Sequence, residues 1–227
     1  MTLPRHHPPE TLLLEYATGV LREAQALAVA THLAYCPDCR RQAALLDELG
    51  GVLLDTLPPE PLPPDALAAV VARLDEAPAL PAALTLDTRT ATACPLGGLL
   101  VPEPLRGYLA RLPQPSWIDL NDGIKSLRMA LGHPPVVAEI LKMAPGAALP
   151  AHRHTDQELI LTLHGTFSEE AGPHSTKGGS YSVGDLGEFE GGSAHTVVAG
   201  GDGCICYRVL AGPIERLTQP ETSRIEV

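Results

Sequence analysis

The chain has 227 residues, 44% of them hydrophobic and 19% charged, and a formal net charge of -11. That is enough for one large domain or two modest ones, and it excludes a peptide or a disordered tail. Sixteen Lys and Arg against 27 Asp and Glu, with one Trp, two Phe and five Tyr, argue against direct nucleic-acid binding, which needs cations for phosphates and rings for bases. An acidic surface steers instead toward a partner that is itself basic.

No stretch of eighteen apolar residues occurs, and the opening residues Met1 to Pro9 are polar and rich in His and Pro where a secretory leader needs an apolar core. The expectation is a cytoplasmic protein with no membrane span. The five cysteines fall as Cys36/Cys39, a lone Cys94 in the linker, and Cys204/Cys206. An odd, local set of this kind points to metal ligation or thiol chemistry rather than a disulfide scaffold.

In chain order, Leu12, Leu13, Tyr16 and Ala17 recur at helical spacing between Pro9 and Gly19, and Gly19 suits a left-handed helix end. A second helix is expected from about Arg22 to Tyr35, rich in Ala, Leu and Val. Pro37 breaks it and fits the first turn of a third helix, which begins near Cys36 and runs to Gly50 and Gly51. Leu57 to Pro64 holds five prolines and reads as a rigid connector. Asp65 is placed to cap a fourth helix, Ala66 to Glu76, with Leu67, Val70, Val71 and Leu74 on one stripe. Residues 78–96 form a linker by composition. From Gly97 onward short β-rich runs alternate with Gly and Pro clusters: Val136 to Leu141, Glu158 to Leu163, Ser180 to Val183 and Cys204 to Leu210. The predicted architecture is α + β and multidomain, a small helical domain over 1–77 followed by an all-β barrel or sandwich over 97–217.

HLAYCPDC places His32, Cys36 and Cys39 as H-x3-C-x2-C. A helix ending near Tyr35 sets His32 one turn before Cys36, and the turn at Pro37 brings Cys39 beside it. Two thiols and an imidazole converge without long-range folding, a soft set suited to zinc, and a closed tetrahedron needs a fourth ligand for which His6 and His7 are the candidates. The competing readings are reduced core cysteines beside a surface His, or a redox C-x2-C, although the βαβ context of the latter is missing.

RHHP at 5–8, LLLEYATG and ATHLAYCPDCR resemble the zinc-binding domain of the bacterial ChrR-type anti-sigma factors. The resemblance spans roughly residues 1–77 and implies His7 as the fourth ligand. It also implies three bundled helices with a fourth reaching away, and a partner that is an extracytoplasmic-function sigma factor. A bundle of about 50 residues has little core of its own, so metal can contribute directly to its folding.

Farther on, GAALPAHRHTDQELILTLHG fits G-x5-H-x-H-x3-E-x6-G, the first cupin signature. His152 and His154 alternate to one face of a strand, with Glu158 expected on the neighbouring strand. GDLGEFEGGSAHTVVA approximates the second signature, with Glu190 and Ala199 in the usual Pro and Asn positions and His195 retained as fourth ligand. Three imidazoles and a carboxylate suit Zn, Fe, Mn or Ni, and the resemblance favours Zn. A metal-free cluster of hydrogen-bonded histidines is the plainer alternative. Cys204 and Cys206 share a strand face as possible redox-sensitive thiols, or as small core residues. His133, His164 and His174 read as surface residues.

Three readings of the function follow. One is an anti-sigma factor, not an enzyme, whose cupin receives an oxidative signal such as singlet oxygen or an organic hydroperoxide. Another is a metal-dependent cupin dioxygenase or isomerase with an ancillary zinc domain. A small-ligand or sugar-binding cupin is a third.

Overall fold

The computed structural model describes residues 3–74, 96–112, 115–131, 134–170 and 179–217. The linker with Cys94, together with Glu76, His133 and His174, lies outside the described residues.

Three helices open the chain: α1 (Glu10–Ala17), α2 (Glu23–Tyr35) and α3 (Pro37–Asp55). Gly19 takes the expected left-handed conformation after α1. Cys36 is the N-cap of α3, its Sγ accepting from the Cys39 amide at 3.4 Å, with Pro37 in the first turn. Arg40 donates to the carbonyls of Leu33 and Ala34 and so satisfies the end of α2. The expected stop at Gly50 and Gly51 is corrected: α3 continues through both glycines to Asp55. Glycine lowers helix propensity by only about 1 kcal/mol, and the leucines on either side keep the helix going. A short α4 (Ala66–Ala72) follows the proline connector, ending before Arg73 rather than at Glu76. Asp65 is its N-cap residue but makes no side-chain cap hydrogen bond.

The β region opens with a helix that the strand pattern concealed, α5 (Glu103–Ala110), whose Leu105 and Leu109 lie one turn apart and fully buried. Among the described residues nine strands then form one antiparallel sheet: β1 (Trp117–Asn121), β2 (Ile124–Met129), β3 (Val137–Met143), β4 (Ala148–His154), β5 (Glu158–Glu170), β6 (Gly179–Ser182), β7 (Leu186–Phe189), β8 (Ala194–Leu210) and β9 (Ile214–Arg216). The order β1-β2-β3-β8-β4-β9 runs through the long β8, and β5 pairs with β6, β7 and β8. β8 thus curls the sheet on itself, with Gly165 and Gly203 in left-handed conformations at its irregular middle. A Cβ on Gly165 would overlap the Gly203 carbonyl oxygen at 2.0 Å, so the close approach needs glycine.

Alternation divides the sheet into two faces. The inner face carries an apolar core of Ile124, Leu141, Ile160, Phe167, Val197, Cys204 and Cys206. Leu159, Leu161, Leu186, Tyr207 and Val209 belong instead to a core shared with Leu12, Leu13, Ala24 and Ala28 of the helices. Ala24 and Ala28 are fully buried, small enough to bring α2 against the sheet, and the Tyr207 hydroxyl donates to the Ala24 carbonyl at 3.0 Å. The helices are therefore packed onto the sheet's outer face rather than merely tethered to it.

A candidate pair of metal centres

His7, His32, Cys36 and Cys39 converge, as do His152, His154, Glu158 and His195, each group with ligand atoms within 4.8 Å of one another. The eight residues read from sequence as the two ligand sets fall into these two clusters.

In the helical cluster His32 Nε2 lies 3.3 Å from Cys39 Sγ, and His7 Nδ1 lies 3.4 Å from both sulfurs. A tetrahedral zinc with two sulfurs and two nitrogens requires S···N edges of about 3.6 Å, so these donors need almost no rearrangement. His32 is fully buried and its Nδ1–H donates to the Gly184 carbonyl at 2.8 Å, which fixes the tautomer and leaves Nε2 free to ligate. Burial holds its pKa down to about 4, so the imidazole is neutral as a ligand must be. Burial, together with the Cys36 thiol, pushes the Cys39 thiol up to about 12; a metal must displace that proton, and its uptake is coupled to pH. His6, the other candidate, is excluded from the set: its ring stacks on Tyr181 at 4.2 Å and its Nε2 meets the Ser180 carbonyl.

His7 reaches the cluster on a strap held by the sheet. The Asp185 carboxylate accepts from the amides of Arg5 and His6 and from Ser182, and Leu186 N donates to the His6 carbonyl at 3.1 Å. Burial alone would raise the Asp185 pKa, but these amides outweigh it and lower it. Gly184, at φ 91°, presents its carbonyl to His32, and a Cβ there would meet Pro4 and Tyr35 at 3.0 Å.

The barrel cluster gathers donors from three strands. His152 and His154 share the inner face of β4, Glu158 opens β5 and His195 lies on β8, all at most 2% exposed. The expectation that Glu158 stands on a strand neighbouring β4 is corrected, since β4 and β5 are not paired with each other; both pair with β8. Glu158 Oε2 is 3.0 Å from His154 Nε2 and 3.2 Å from His195 Nε2, and the Nε2 atoms of His152 and His195 are 3.2 Å apart. Ligand nitrogens around a tetrahedral ion are separated by roughly 3.3 Å. His152 Nδ1 donates to the Pro150 carbonyl and His154 Nδ1 meets Ser193 Oγ, so both Nε2 atoms face the centre. Burial lowers the His152 pKa to about 4. Burial would raise that of Glu158, but the imidazoles of His154 and His195 and the Arg208 guanidinium hold it well below the usual carboxylate range. His154 Nε2 and both Glu158 oxygens are buried without a hydrogen-bond partner among the described residues. A convergent, buried set of three imidazoles and one carboxylate fits a metal ion.

Cys204 and Cys206 do share the inner face and are at most 2% exposed. The neighbouring Cys204 thiol, together with burial, pushes the Cys206 thiol well up, so it is protonated rather than reactive thiolate. His164 is exposed, as read.

Sequence reasoning missed the residues around the clusters. Glu139 of β3 and Arg208 of β8 are register partners joined by a buried ion pair, and Ser126 donates to the same carboxylate. The available signal was a single charge inside the apolar runs VVAEIL and CICYRVL. Asp185 was visible only as the residue after a signature glycine.

A soft helical donor set seated on a curled sheet with its own three-imidazole, one-carboxylate set defines a helical–cupin protein with two candidate metal centres. Residues 107–213 match the family described as the ChrR cupin-like domain. The anti-sigma-E factor ChrR of Cereibacter sphaeroides is 34% identical over 225 residues, covering 95% of this chain and 97% of that protein. Among solved structures, one of Rhodobacter sphaeroides SigE in complex with the anti-sigma ChrR aligns at 34% identity and a TM-score of 0.72, covering 91% of this chain and 98% of that one. KdgF from Halomonas sp. aligns at 21% identity and a TM-score of 0.37, over 46% of this chain and 88% of that one. The chain belongs to the ChrR family of anti-sigma factors. Among the described residues no helix is long and apolar enough to cross a membrane.

Proposed function

We propose that this chain sequesters an extracytoplasmic-function sigma factor through its helical region and releases it when the barrel receives an oxidative signal, such as singlet oxygen or an organic hydroperoxide. The observation that carries the reading is an uncovered apolar face. Leu45, Leu49, Val52, Leu53 and Leu54 of α3 are 54–67% exposed, and Leu67, Val70 and Val71 of α4 are 54–78% exposed. Exposed apolar stripes of this kind on an acidic chain suit a helix-in-groove partner. The SigE complex of the ChrR relative supplies the class of partner.

His7, His32, Cys36 and Cys39 hold zinc as a closed structural set, and His152, His154, Glu158 and His195 hold a second ion, for which zinc is our choice. Bound zinc supplies fixed tetrahedral geometry and no redox chemistry. The chain's own residues do the rest: His32 ties α2 to the Gly184 turn, and Asp185 ties the His7 strap to the same turn. A signal shifts sigma binding only if it changes the relative free energy of bound and released states. The barrel donor set is better placed to do so than Cys206, whose buried thiol is pushed well up and is a poor nucleophile.

The test is co-purification with extracytoplasmic-function sigma factors of the same genome. His32→Ala or Cys36→Ser is expected to abolish the complex, while His152→Ala keeps it and blunts release by oxidant. Retention of sigma by both helical variants overturns the reading.

A further inference from the structure

β7 is only four residues long, and each of its ends serves a different donor cluster. At one end Phe189 is the register partner of Glu158, and its ring stands edge-on to that of His195 at 4.4 Å between centroids and 6.0 Å from that of His154. At the other end the Leu186 amide donates to the His6 carbonyl at 3.1 Å, and Asp185, the residue before it, accepts from the Arg5 and His6 amides. A second connection runs through side chains. The Tyr181 ring of β6 lies 6.1 Å from Phe189 and 4.2 Å from His6, and it is stacked on Phe167 at 4.5 Å. These rings are closely packed, since a Cβ on Gly187 would come within 3.0 Å of both Phe189 and Tyr181. Residues 3–9 form no helix or strand of their own, so the course of the strap is set by this seat. His7, at its end, is the one ligand of the helical set that lies outside the helix–turn–helix.

Resting on the reading of both clusters as metal centres, we infer that Phe189 and Tyr181 are positioning residues that join them, so that filling the barrel set tightens the hold of the helical set on its own ion. With the His154 and His195 rings held in one coordination sphere, Phe189 loses freedom, and β7 and Tyr181 lose it with Phe189. The strap then docks on a seat that is already ordered, and His7 gives up less entropy in reaching Cys36 and Cys39. The effect is reciprocal: filling the helical set tightens the barrel set by the same factor.

Titration of the full-length chain with cobalt(II) against a competing chelator tests it. Thiolate-to-cobalt charge-transfer absorption reports the helical set alone, because the barrel set has no sulfur donor. His152, whose ring neighbours are His154 and His195, is the barrel donor to remove. His152→Ala is expected to weaken cobalt binding at the helical set by about fivefold or more, and in a Tyr181→Leu background that ratio is expected to fall below about half its value. A Tyr181 that only supports the fold would lower both affinities and leave the ratio intact, and that result overturns the positioning role. A helical affinity unmoved by His152→Ala, with both sets taking cobalt in the parent chain, overturns the inference and leaves the metal reading standing. A set that takes no cobalt in the parent chain overturns both. Should circular dichroism show Tyr181→Leu unfolded, His6→Ala decides, since it removes the ring stack and keeps the backbone bonds to Asp185 and Leu186. The same fall in the ratio is expected there, and an intact ratio overturns the inference.

Discussion

The two donor clusters are built on opposite plans. The helical one takes His32, Cys36 and Cys39 from a single helix–turn–helix, whereas the barrel one takes its donors from β4, β5 and β8, which only the finished sheet brings together. Local assembly looks self-sufficient, yet the helical cluster is completed from elsewhere. Gly184 orients His32, and Asp185 holds the strap that delivers His7. The difference teaches that a cluster readable from eight consecutive residues is finished by the sheet against which it packs, through the His32–Gly184 hydrogen bond and the strap held by Asp185.

Removing a soft donor is expected to have the largest effect. Cys39→Ser should cost one metal equivalent by elemental analysis and the amide-exchange protection of α1 to α3, since structural zinc contributes on the order of 10 kcal/mol to small folds, while the sheet keeps its protection. Loss of protection in the sheet as well would make the two clusters one folding unit. Next is Asp185→Ala, which leaves the Arg5 and His6 amides without their acceptor. At roughly 1.5–3 kcal/mol per bond to a charged group, denaturant unfolding should show about 3 kcal/mol lost, and zinc affinity at the helical site should fall about tenfold or more. Because its folded pKa is lowered, this contribution is present above the unfolded carboxylate value and disappears as pH falls through the folded one. Destabilisation with unchanged zinc affinity would break the link between strap and site.

Acid should weaken the metal-free chain by a smaller, graded amount. Burial holds the folded pKa values of His32 and His152 to about 4, below the ordinary imidazole value of 6.5, so from pH 6.5 down toward 4 the unfolded state takes up protons that the folded state refuses. Each site then costs about 1.4 kcal/mol per pH unit in that window, measurable as a falling Tm. A flat profile would mean that the rings are solvated. The smallest effect on stability belongs to Leu53→Ala on the uncovered face of α3, within about 0.5 kcal/mol, although sigma affinity should drop measurably.

Both clusters were legible in the sequence because their donors sit at spacings that local geometry translates into convergence: one helical turn for His32 and Cys36, alternate strand positions for His152 and His154. The choice of His7 over His6 was open to spacing alone and needed the resemblance; in the fold, the Ser180 carbonyl and the Tyr181 ring occupy His6. What stayed hidden was long-range. The packing of Ala24 and Ala28 against Tyr207, the Glu139–Arg208 pair and the absence of a β4–β5 ladder all depend on register between distant strands, which no local window contains. α5 was missed because an eight-residue helix with two buried leucines is too short to stand out among β-rich runs.

β8 shows Tyr207 and Val209 to the helices and Arg208 and His195 to the interior. Sliding it by one residue would exchange those two faces, and sliding by two would carry its imidazole some 7 Å from the other donors. A motion of this wall that keeps its contacts is therefore a small tilt or twist of the strand in fixed register.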